Sequence, residues 1–316
     1  MALETTAVIG AGTMGHALAL VHALGGCRVA LHDSSAPVLA RAPDLIRAAL
    51  ATLEQAGSLS RADADAALAR ITFTDTLEKA VASADLVVEA VVEKPRIKQQ
   101  VFAAIDRHAP PGAILASNTS YLDVFPLIPE ARQPRAAVAH WYTPPYIVDL
   151  VDLAPGPDTD PGVIEALRAL YTGFGKEPVV FDQLVPGYIA NRLQAALNLE
   201  CLRMIEAGWA TAQDIDRSIR HGLVHRLAVL GHMKKMDYTG LEMVRNGIAG
   251  RSYQPPANTG ETPVLDRLIA AGRSGVRAGA GFYDYGDTPT EALFRDRDLR
   301  LLRLKAQLQD QEGETR

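Results

Sequence analysis

Apolar residues in the first half of the chain fall into short runs separated by longer, mixed segments. Ala7-Val8-Ile9, Cys27 to Leu31, Asp85 to Val91, Ala113 to Ser117, Ala136 to Ala139, Ile147 to Leu153 and Pro178 to Phe181 each have the length of a strand. Continuous apolar runs of that length fit strands buried on both faces. The segments between them carry helical spacing, Met14 to Leu24 foremost, and the alternation predicts a parallel sheet wrapped by helices. Between Asp33 and Thr72 lies a long Ala/Leu/Arg segment broken near Gly57-Ser58. It is larger than an ordinary crossover and predicts a helical hairpin bordering a ligand cleft.

The pattern changes at Asp182 to Gly187, after which only helical spacing remains. From Pro186 onward Ile189, Leu193, Leu197, Cys201, Met204 and Ile205 recur mostly at three or four, which predicts one buried helix face. Gly222, Gly231 and Gly240 are expected to separate later helices. Leucines among charges from Asp296 to Gln309 predict a terminal amphipathic helix, with 311–316 as its frayed end. The expected organisation is an α/β domain over 1–184 followed by an all-helical domain over 185–316.

One loop gives the first half a chemistry. Gly10, Gly12 and Gly15, with Thr13 and Met14 between them, follow the first apolar run and open the first helix. That spacing is the fingerprint of a Rossmann-type dinucleotide-binding domain: a tight turn, close approach of a pyrophosphate to backbone, and close helix-strand packing. Anions sit on the unsatisfied N–H groups of such a helix start. Asp33 ends the second apolar run, eighteen residues beyond Gly15, where an acid accepts hydrogen bonds from an adenosine ribose. Ser34 and Ser35 follow, with no Arg to hold a 2′-phosphate, so the predicted cofactor is NAD. The competing reading of Asp33 is a helix cap.

Composition adds mainly exclusions. A chain of 316 residues buries a large core, and its net charge of −5 gives no general attraction to nucleic acid or anionic membranes. No apolar run approaches a membrane span, and no presequence pattern precedes Thr5, so a cytoplasmic location is expected. Cys27 and Cys201 fall on an apolar strand and an apolar helix, which suits buried thiols. His221 and His225 are four apart without a third ligand at metal spacing, so no metal is expected.

A second constellation carries candidate catalytic groups. His140 ends an apolar run, Thr143-Pro144-Pro145 predicts a sharp reversal, and the returning run carries Asp149 and Asp152. A histidine held by a carboxylate has a fixed tautomer and a stabilised protonated form, as a general base for an alcohol requires. Strand alternation puts Asp149 and Asp152 on opposite faces, so one of them points toward His140, and alternation does not select which.

The chain resembles the L-3-hydroxyacyl-CoA dehydrogenase family over nearly its whole length, most closely its lambda-crystallin or L-gulonate 3-dehydrogenase branch. The matching stretches are Ile9 to Gly15, Val88 to Glu93 with Lys98, Ser117 to Ser120, His140 to Asp152, Pro186 to Arg192 and Gly279 to Tyr283. The resemblance selects Asp152 as the partner of His140. It implies that His140 is the catalytic base, that Ser120 and Asn191 hydrogen-bond the substrate, and that Glu93 and Lys98 lie at the nicotinamide half of the cofactor. The plainer roles open to these residues are a helix cap for Ser120, a backbone contact for Asn191 and a solvated pair for Glu93 with Lys98. The family also implies a homodimer through the helical domain.

Two positions depart from the family. Its usual Glu is here Asp152, one methylene shorter, and its usual Asn before Pro is here Thr143. A carboxylate that falls short calls for a bridging water or a strand shift, with loss of activity. The expected reaction is NAD-dependent oxidation of the 3-hydroxyl of a small 3-hydroxy acid. In the helical hairpin Arg41, Arg47, Arg61 and Arg70 are balanced by Asp44, Glu54, Asp63 and Asp65, which argues against a CoA-binding wall. His225 and Arg226 are candidate anchors for a carboxylate. The alternatives are a 3-hydroxyacyl-CoA dehydrogenase and an NAD-binding structural or sensor protein without turnover. A 6-phosphogluconate-type enzyme is disfavoured, because no Lys lies between Lys176 and Lys234 to serve as its catalytic base.

Overall fold

Val, Ile, Leu and Ala fill the strands of the first unit, and helices cover them on both faces. The computed structural model describes residues 3–251 and 253–313, the side chains of 310–313 excepted, and its contacts divide the chain into units 1–188 and 189–316. In chain order the first unit holds β1 (Thr5–Ile9), α1 (Gly15–Leu24), β2 (Arg28–His32), α2 (Ala36–Gln55), α3 (Arg61–Ala69), β3 (Ile71–Thr74), α4 (Leu77–Val81), β4 (Leu86–Glu89) and α5 (Pro95–His108). Then follow β5 (Ile114–Ser117), β6 (Ala136–Trp141), β7 (Leu150–Pro155), α6 (Pro161–Gly173) and β8 (Glu177–Val180).

The strands form one sheet in the order β3-β2-β1-β4-β5-β6-β7-β8. Every neighbouring pair is parallel except β6 and β7. One core, with Leu18, Leu31, Ile46, Val88 and Leu167, packs α1, α2, α3 and α6 on the sheet. The other, with Val81, Phe102, Ile105, Leu115 and Val138, packs α4 and α5. The order reverses beside β1, which lies between β2 and β4, and a sheet of this kind binds its ligands at the carboxyl ends of such strands.

The expected helical hairpin is present as α2 and α3, with Gly57 at φ 71° in the break. Ser60 caps α3 through a bond from the Asp63 N–H. Two expectations need correction. β3 is absent from the apolar pattern, because only its first residue, Ile71, is buried, and its pairing with β2 makes it a strand. The run at Ile147 begins as a turn, and β7 starts at Leu150. Lys176 causes this: its Nζ donates to the carbonyls of Pro145 (2.8 Å) and Val148 (3.1 Å) and to Asp149 Oδ1 (3.2 Å), gathering the turn around itself.

A buried ion pair ties β4, β5 and α5 together. Glu89 and Lys98 are 0% and 1% exposed, and Lys98 Nζ lies 2.8 Å from both Glu89 carboxylate oxygens. The Val91 N–H donates to Oε1 at 2.8 Å and the Ser117 hydroxyl to Oε2 at 2.6 Å. Glu93 Oε2 is a second anion for the lysine, at 3.2 Å. Buried charges persist only when paired and hydrogen-bonded in this way.

The second unit is helical: α7 (Ala190–Glu206), α8 (Ala212–Ser218), α9 (His225–Leu230), α10 (His232–Thr239), α11 (Leu241–Ala249), α12 (Pro263–Ala270) and α13 (Thr290–Gly313). Gly231 (φ 68°) and Gly240 (φ 94°) separate helices as expected. Gly222 does not, because a π-helical turn over Ile219–Val224 carries the chain from α8 straight into α9. α13 is longer than the predicted 296–309 and runs through 313, while the remainder of the supposed frayed end, 314–316, lies outside the described residues. The expected buried face of α7 is not buried: Ile189 is 54% and Leu193 61% exposed, and Leu197 is exposed as well. None of the described helices is long and apolar enough to cross a membrane.

Two buried groups generate stability predictions. Lys98→Met leaves the fully buried Glu89 carboxylate without its cation and should lower the urea-unfolding free energy by about 3–5 kcal/mol. Lys79→Met, which removes only an exposed pair with Asp75, should stay within about 1 kcal/mol. His22 sits among Trp141, Tyr171 and Phe174 with Nδ1 on the Leu18 carbonyl, and burial lowers its pKa to about 4. The unfolded chain therefore takes up a proton below about pH 6.5 that the folded chain refuses, so stability falls as pH drops from 6.5 toward 4, by about 3 kcal/mol from this group. His22→Gln should flatten that fall in urea titrations across the same range; an unchanged slope would show that His22 is not its source.

Candidate active site

The glycine loop leaves β1 against the chain that follows β4. Gly10 has φ 100°, and a Cβ there would stand 2.7 Å from the Ala90 carbonyl oxygen. A Cβ on Gly15 would collide with the carbonyl of Gly10, so α1 packs directly on the loop. Gly12 differs, because a Cβ there would meet nothing within 4 Å. The first turn of α1 has no side-chain cap and no acidic residue. An open approach at Gly12 to an uncapped helix start, with Thr13 exposed and Met14 half-buried in the turn, fits the pyrophosphate of a dinucleotide.

Asp33 stands at the end of β2 beside this loop. Its Oδ2 accepts the Ala11 N–H at 2.7 Å and its Oδ1 the Ser35 N–H at 2.7 Å. Ser35, rather than Asp33, occupies the N-cap of α2. A carboxylate offers about four acceptor positions, so both contacts leave capacity for ribose hydroxyls.

His140 lies on β6 directly across from Asp152 on β7. Cross-strand partners project to the same face, and both side chains are buried, Asp152 to 1% exposure. His140 Nδ1 is 3.4 Å from Asp152 Oδ2, and His140 Nε2 is 3.2 Å from Ser120 Oγ. With Nδ1 as donor toward the carboxylate, Nε2 presents a lone pair on the Ser120 side. Asp149 takes no part in this line, since Lys176 holds it. Asp152 Oδ2 therefore faces Nδ1 directly, at a separation longer than a good charge-assisted hydrogen bond, as its shorter side chain requires.

Two tyrosines hold the imidazole. Tyr188 stacks on it, with centroids 4.7 Å apart and planes at 23°, and Tyr142 meets it edge-on at 4.6 Å and 82°. Tyr188 has φ 47°, a left-handed conformation that costs a non-glycine residue roughly 1–2 kcal/mol. Its ring stacking and the bond from its hydroxyl to the Thr119 carbonyl at 2.9 Å keep it there. Burial, with the charge of Asp152 beside it, pushes the Tyr188 hydroxyl well above the usual tyrosine range.

Glu93 organises the neighbouring loop. Its Oε1 accepts the Thr119 hydroxyl at 2.6 Å and the N–H groups of Ser120 at 3.0 Å and of Tyr121 and Leu122 at 3.3 Å. Desolvation alone would raise its pKa, but the Thr119 bond, the Lys98 charge and the backbone donors outweigh it and hold the carboxyl below the usual range. Glu93 and Lys98 are thus no solvated pair, and they set the backbone that presents Ser120. Thr143, the departure from the family's Asn, donates to Met14 Sδ at 3.1 Å and links the reversal after β6 to the glycine loop.

The remaining candidates lie in the second unit. Asn191 is half-buried in the first turn of α7, and in α9 the Arg226 Nε donates to the Gly222 carbonyl at 2.8 Å. No group of three or more His, Cys, Asp or Glu side chains suited to a metal exists among the described residues. Cys27 is buried and Cys201 half-buried, both as thiols. Glu89, Tyr142 and Tyr188 join the site without having been candidates from sequence. Glu89 is signalled there only by a lone charge inside an apolar run; the rings, which act through packing on His140, carry no spacing signal.

Residues 5–184 match the NAD-binding domain of 3-hydroxyacyl-CoA dehydrogenase, and residues 187–285 match its C-terminal domain. The chain is 30% identical to 5-formyl-3-hydroxy-2-methylpyridine 4-carboxylate 5-dehydrogenase of Mesorhizobium japonicum, over 98% of this chain and 100% of that one. A crystal structure of an enzyme of that name, described as an NAD+-dependent dismutase, superposes with a TM-score of 0.87 over 98% of this chain and 99% of that one, at 29% identity. L-carnitine dehydrogenase of Streptomyces griseus is 37% identical over 84% of this chain and 77% of its own. 3-Hydroxybutyryl-CoA dehydrogenase of Mycobacterium tuberculosis is 31% identical over 90% and 99%. With the glycine loop, Asp33 and the Ser120–His140–Asp152 line in place, these matches show that the chain belongs to the 3-hydroxyacyl-CoA dehydrogenase family and is an NAD-dependent oxidoreductase.

Proposed function

We propose that the protein oxidises the 3-hydroxyl of a small, free 3-hydroxy acid to the 3-keto acid. The observation that carries this reading is the line from Ser120 Oγ through the imidazole of His140 to Asp152. When bound, NAD+ supplies the hydride acceptor for the carbon that bears the hydroxyl. His140 Nε2 takes the hydroxyl proton, Asp152 stabilises the resulting imidazolium, and Ser120 polarises the oxygen. Asn191 is assigned, from the family resemblance, a second hydrogen bond to substrate. Gly10, Gly12, Thr13, Met14 and Gly15 cradle the pyrophosphate, Asp33 takes the adenosine ribose, and Glu93, braced by Lys98, takes the nicotinamide side.

The choice of a free acid over a thioester is supported by the hairpin of α2 and α3. Arg47 pairs with Asp44 at 2.8 Å, Arg61 reaches Asp65 at 3.2 Å and Glu54 at 3.6 Å, and Arg70 turns to the Ala23 carbonyl. The hairpin thus answers much of its positive charge internally, where a wall for the phosphates of coenzyme A would present it outward. The match over nearly the whole chain to an enzyme named for a pyridine carboxylate, and the match to a carnitine dehydrogenase, favour the same choice.

The second unit is assigned to dimer formation, with a cytoplasmic setting for the enzyme. Ile189, Leu193, Leu197, Met233, Leu241, Met243 and Ile248 stay exposed on the single chain, apolar side chains that a second copy could cover. Light scattering should give twice the 33.9 kDa chain mass, and a monomer at micromolar concentration would overturn this assignment.

A panel of 3-hydroxy acids and their CoA thioesters, followed by NADH formation, tests the activity. At least one free acid should be turned over with kcat/KM tenfold or more above its thioester, and His140→Gln should lower kcat about a thousandfold. A preference for thioesters would select the alternative substrate class. NADH binding without turnover of any panel member would favour a non-catalytic protein.

A further inference from the structure

The Asp152 carboxylate makes its shortest contact with a tyrosine, not with the histidine it serves. Tyr142 Oη donates to Asp152 Oδ2 at 2.6 Å, within the range of a charge-assisted O–H···O⁻ bond. His140 Nδ1 reaches the same oxygen only at 3.4 Å, beyond the 2.7–2.9 Å typical of a charged N–H···O pair. Asp152 Oδ1, also buried, has no hydrogen-bond partner among the described residues, so both contacts that position this carboxylate fall on one atom. The tyrosine that supplies the shorter contact also packs its ring against the imidazole in a T-shaped arrangement. Tyr188, stacked on the imidazole, commits its hydroxyl to the Thr119 carbonyl and leaves the carboxylate to Tyr142.

We propose that Tyr142 is a positioning residue for the reaction, a hydroxyl that anchors the short carboxylate of Asp152 where it faces His140 Nδ1, so that Tyr142 and Asp152 together perform what a longer carboxylate performs alone. An aspartate at this register position stops about 0.5 Å short of a good hydrogen bond and, with one oxygen unpartnered, is free to rotate about its Cβ–Cγ bond. The Tyr142 bond removes that freedom. It also shares the charge of Oδ2 between two donors, which moderates the pull of the carboxylate on the imidazolium. The other ionisable groups around the ring are Tyr188 and, through Ser120, Glu93, and neither contacts Asp152 through a hydrogen bond.

This inference rests on His140 acting as the base of the proposed reaction, and three variants separate the two ideas. Tyr142→Phe keeps the ring and deletes the hydroxyl; kcat for the best free acid should fall about tenfold, with NADH affinity by fluorescence and KM for NAD+ changed less than twofold. Adding Asp152→Glu to Tyr142→Phe should restore kcat to within about threefold of the unaltered protein, because the longer carboxylate reaches Nδ1 unaided. A packing role alone predicts no such rescue. Full activity of Tyr142→Phe, or a folded, NADH-binding double variant no faster than Tyr142→Phe, overturns the assignment while leaving His140 as the base. Full turnover by His140→Gln overturns both.

Discussion

One antiparallel pairing in an otherwise parallel sheet fixes the geometry on which the proposed chemistry depends. β7 runs back along β6 with His140 opposite Asp152, so the register of that pair alone selects which acid meets the imidazole. A slip of one residue would turn Asp152 to the other face and bury an uncompensated carboxylate there. The register is therefore protected from several sides: Asn118 Oδ1 takes the Trp141 N–H at 2.9 Å, Lys176 gathers the turn before β7, and β8 pairs along its far edge. The geometry of the proposed catalytic pair is thus a by-product of strand pairing.

Around that pair the charges are arranged in two tiers. Deep in the sheet, Lys98 neutralises Glu89 and leans toward Glu93, and the strand ends that flank the cofactor loop are locked by this pair and by Ser117. Nearer the surface, Glu93 turns its other oxygen to the backbone of Ser120 to Leu122. The position of the hydroxyl beside His140 Nε2 is thus set from the core outward, through an acid that looks, in sequence, like half of an ordinary surface pair.

Much of this architecture is legible in the order of the residues alone. The strand-length apolar runs mark all but the edge strand β3, whose pairing with β2 rather than its own hydrophobicity makes it a strand. Spacing places the glycine loop and Asp33 and marks His140 with an aspartate on the returning run, and the family resemblance selects Asp152 and adds Ser120. The rest depends on tertiary packing. The Lys176 anchor that delays β7, the π-helical turn that carries a helix across Gly222, and the rings of Tyr142 and Tyr188 against His140 all join residues through contacts that no local period encodes. The apolar positions of α7 do share a face, as their spacing predicts, yet that face is not core, since periodicity reports which residues share a side and not what covers them.

Asp33 carries a consequence for anyone who would retune the cofactor preference. Exchanging this acid for a neutral or basic residue is the obvious route to a 2′-phosphorylated dinucleotide, because the acid repels the phosphate. Here the same carboxylate also ties down the Ala11 N–H of the glycine loop and the Ser35 N–H at the start of α2. The swap would unfasten the glycine loop together with the proposed ribose contact, so a redesigned loop would need a new acceptor for Ala11 before any altered preference became useful. On the proposed assignment of Asp33, nucleotide selectivity and loop integrity are one constraint, held by the two oxygens of a single side chain.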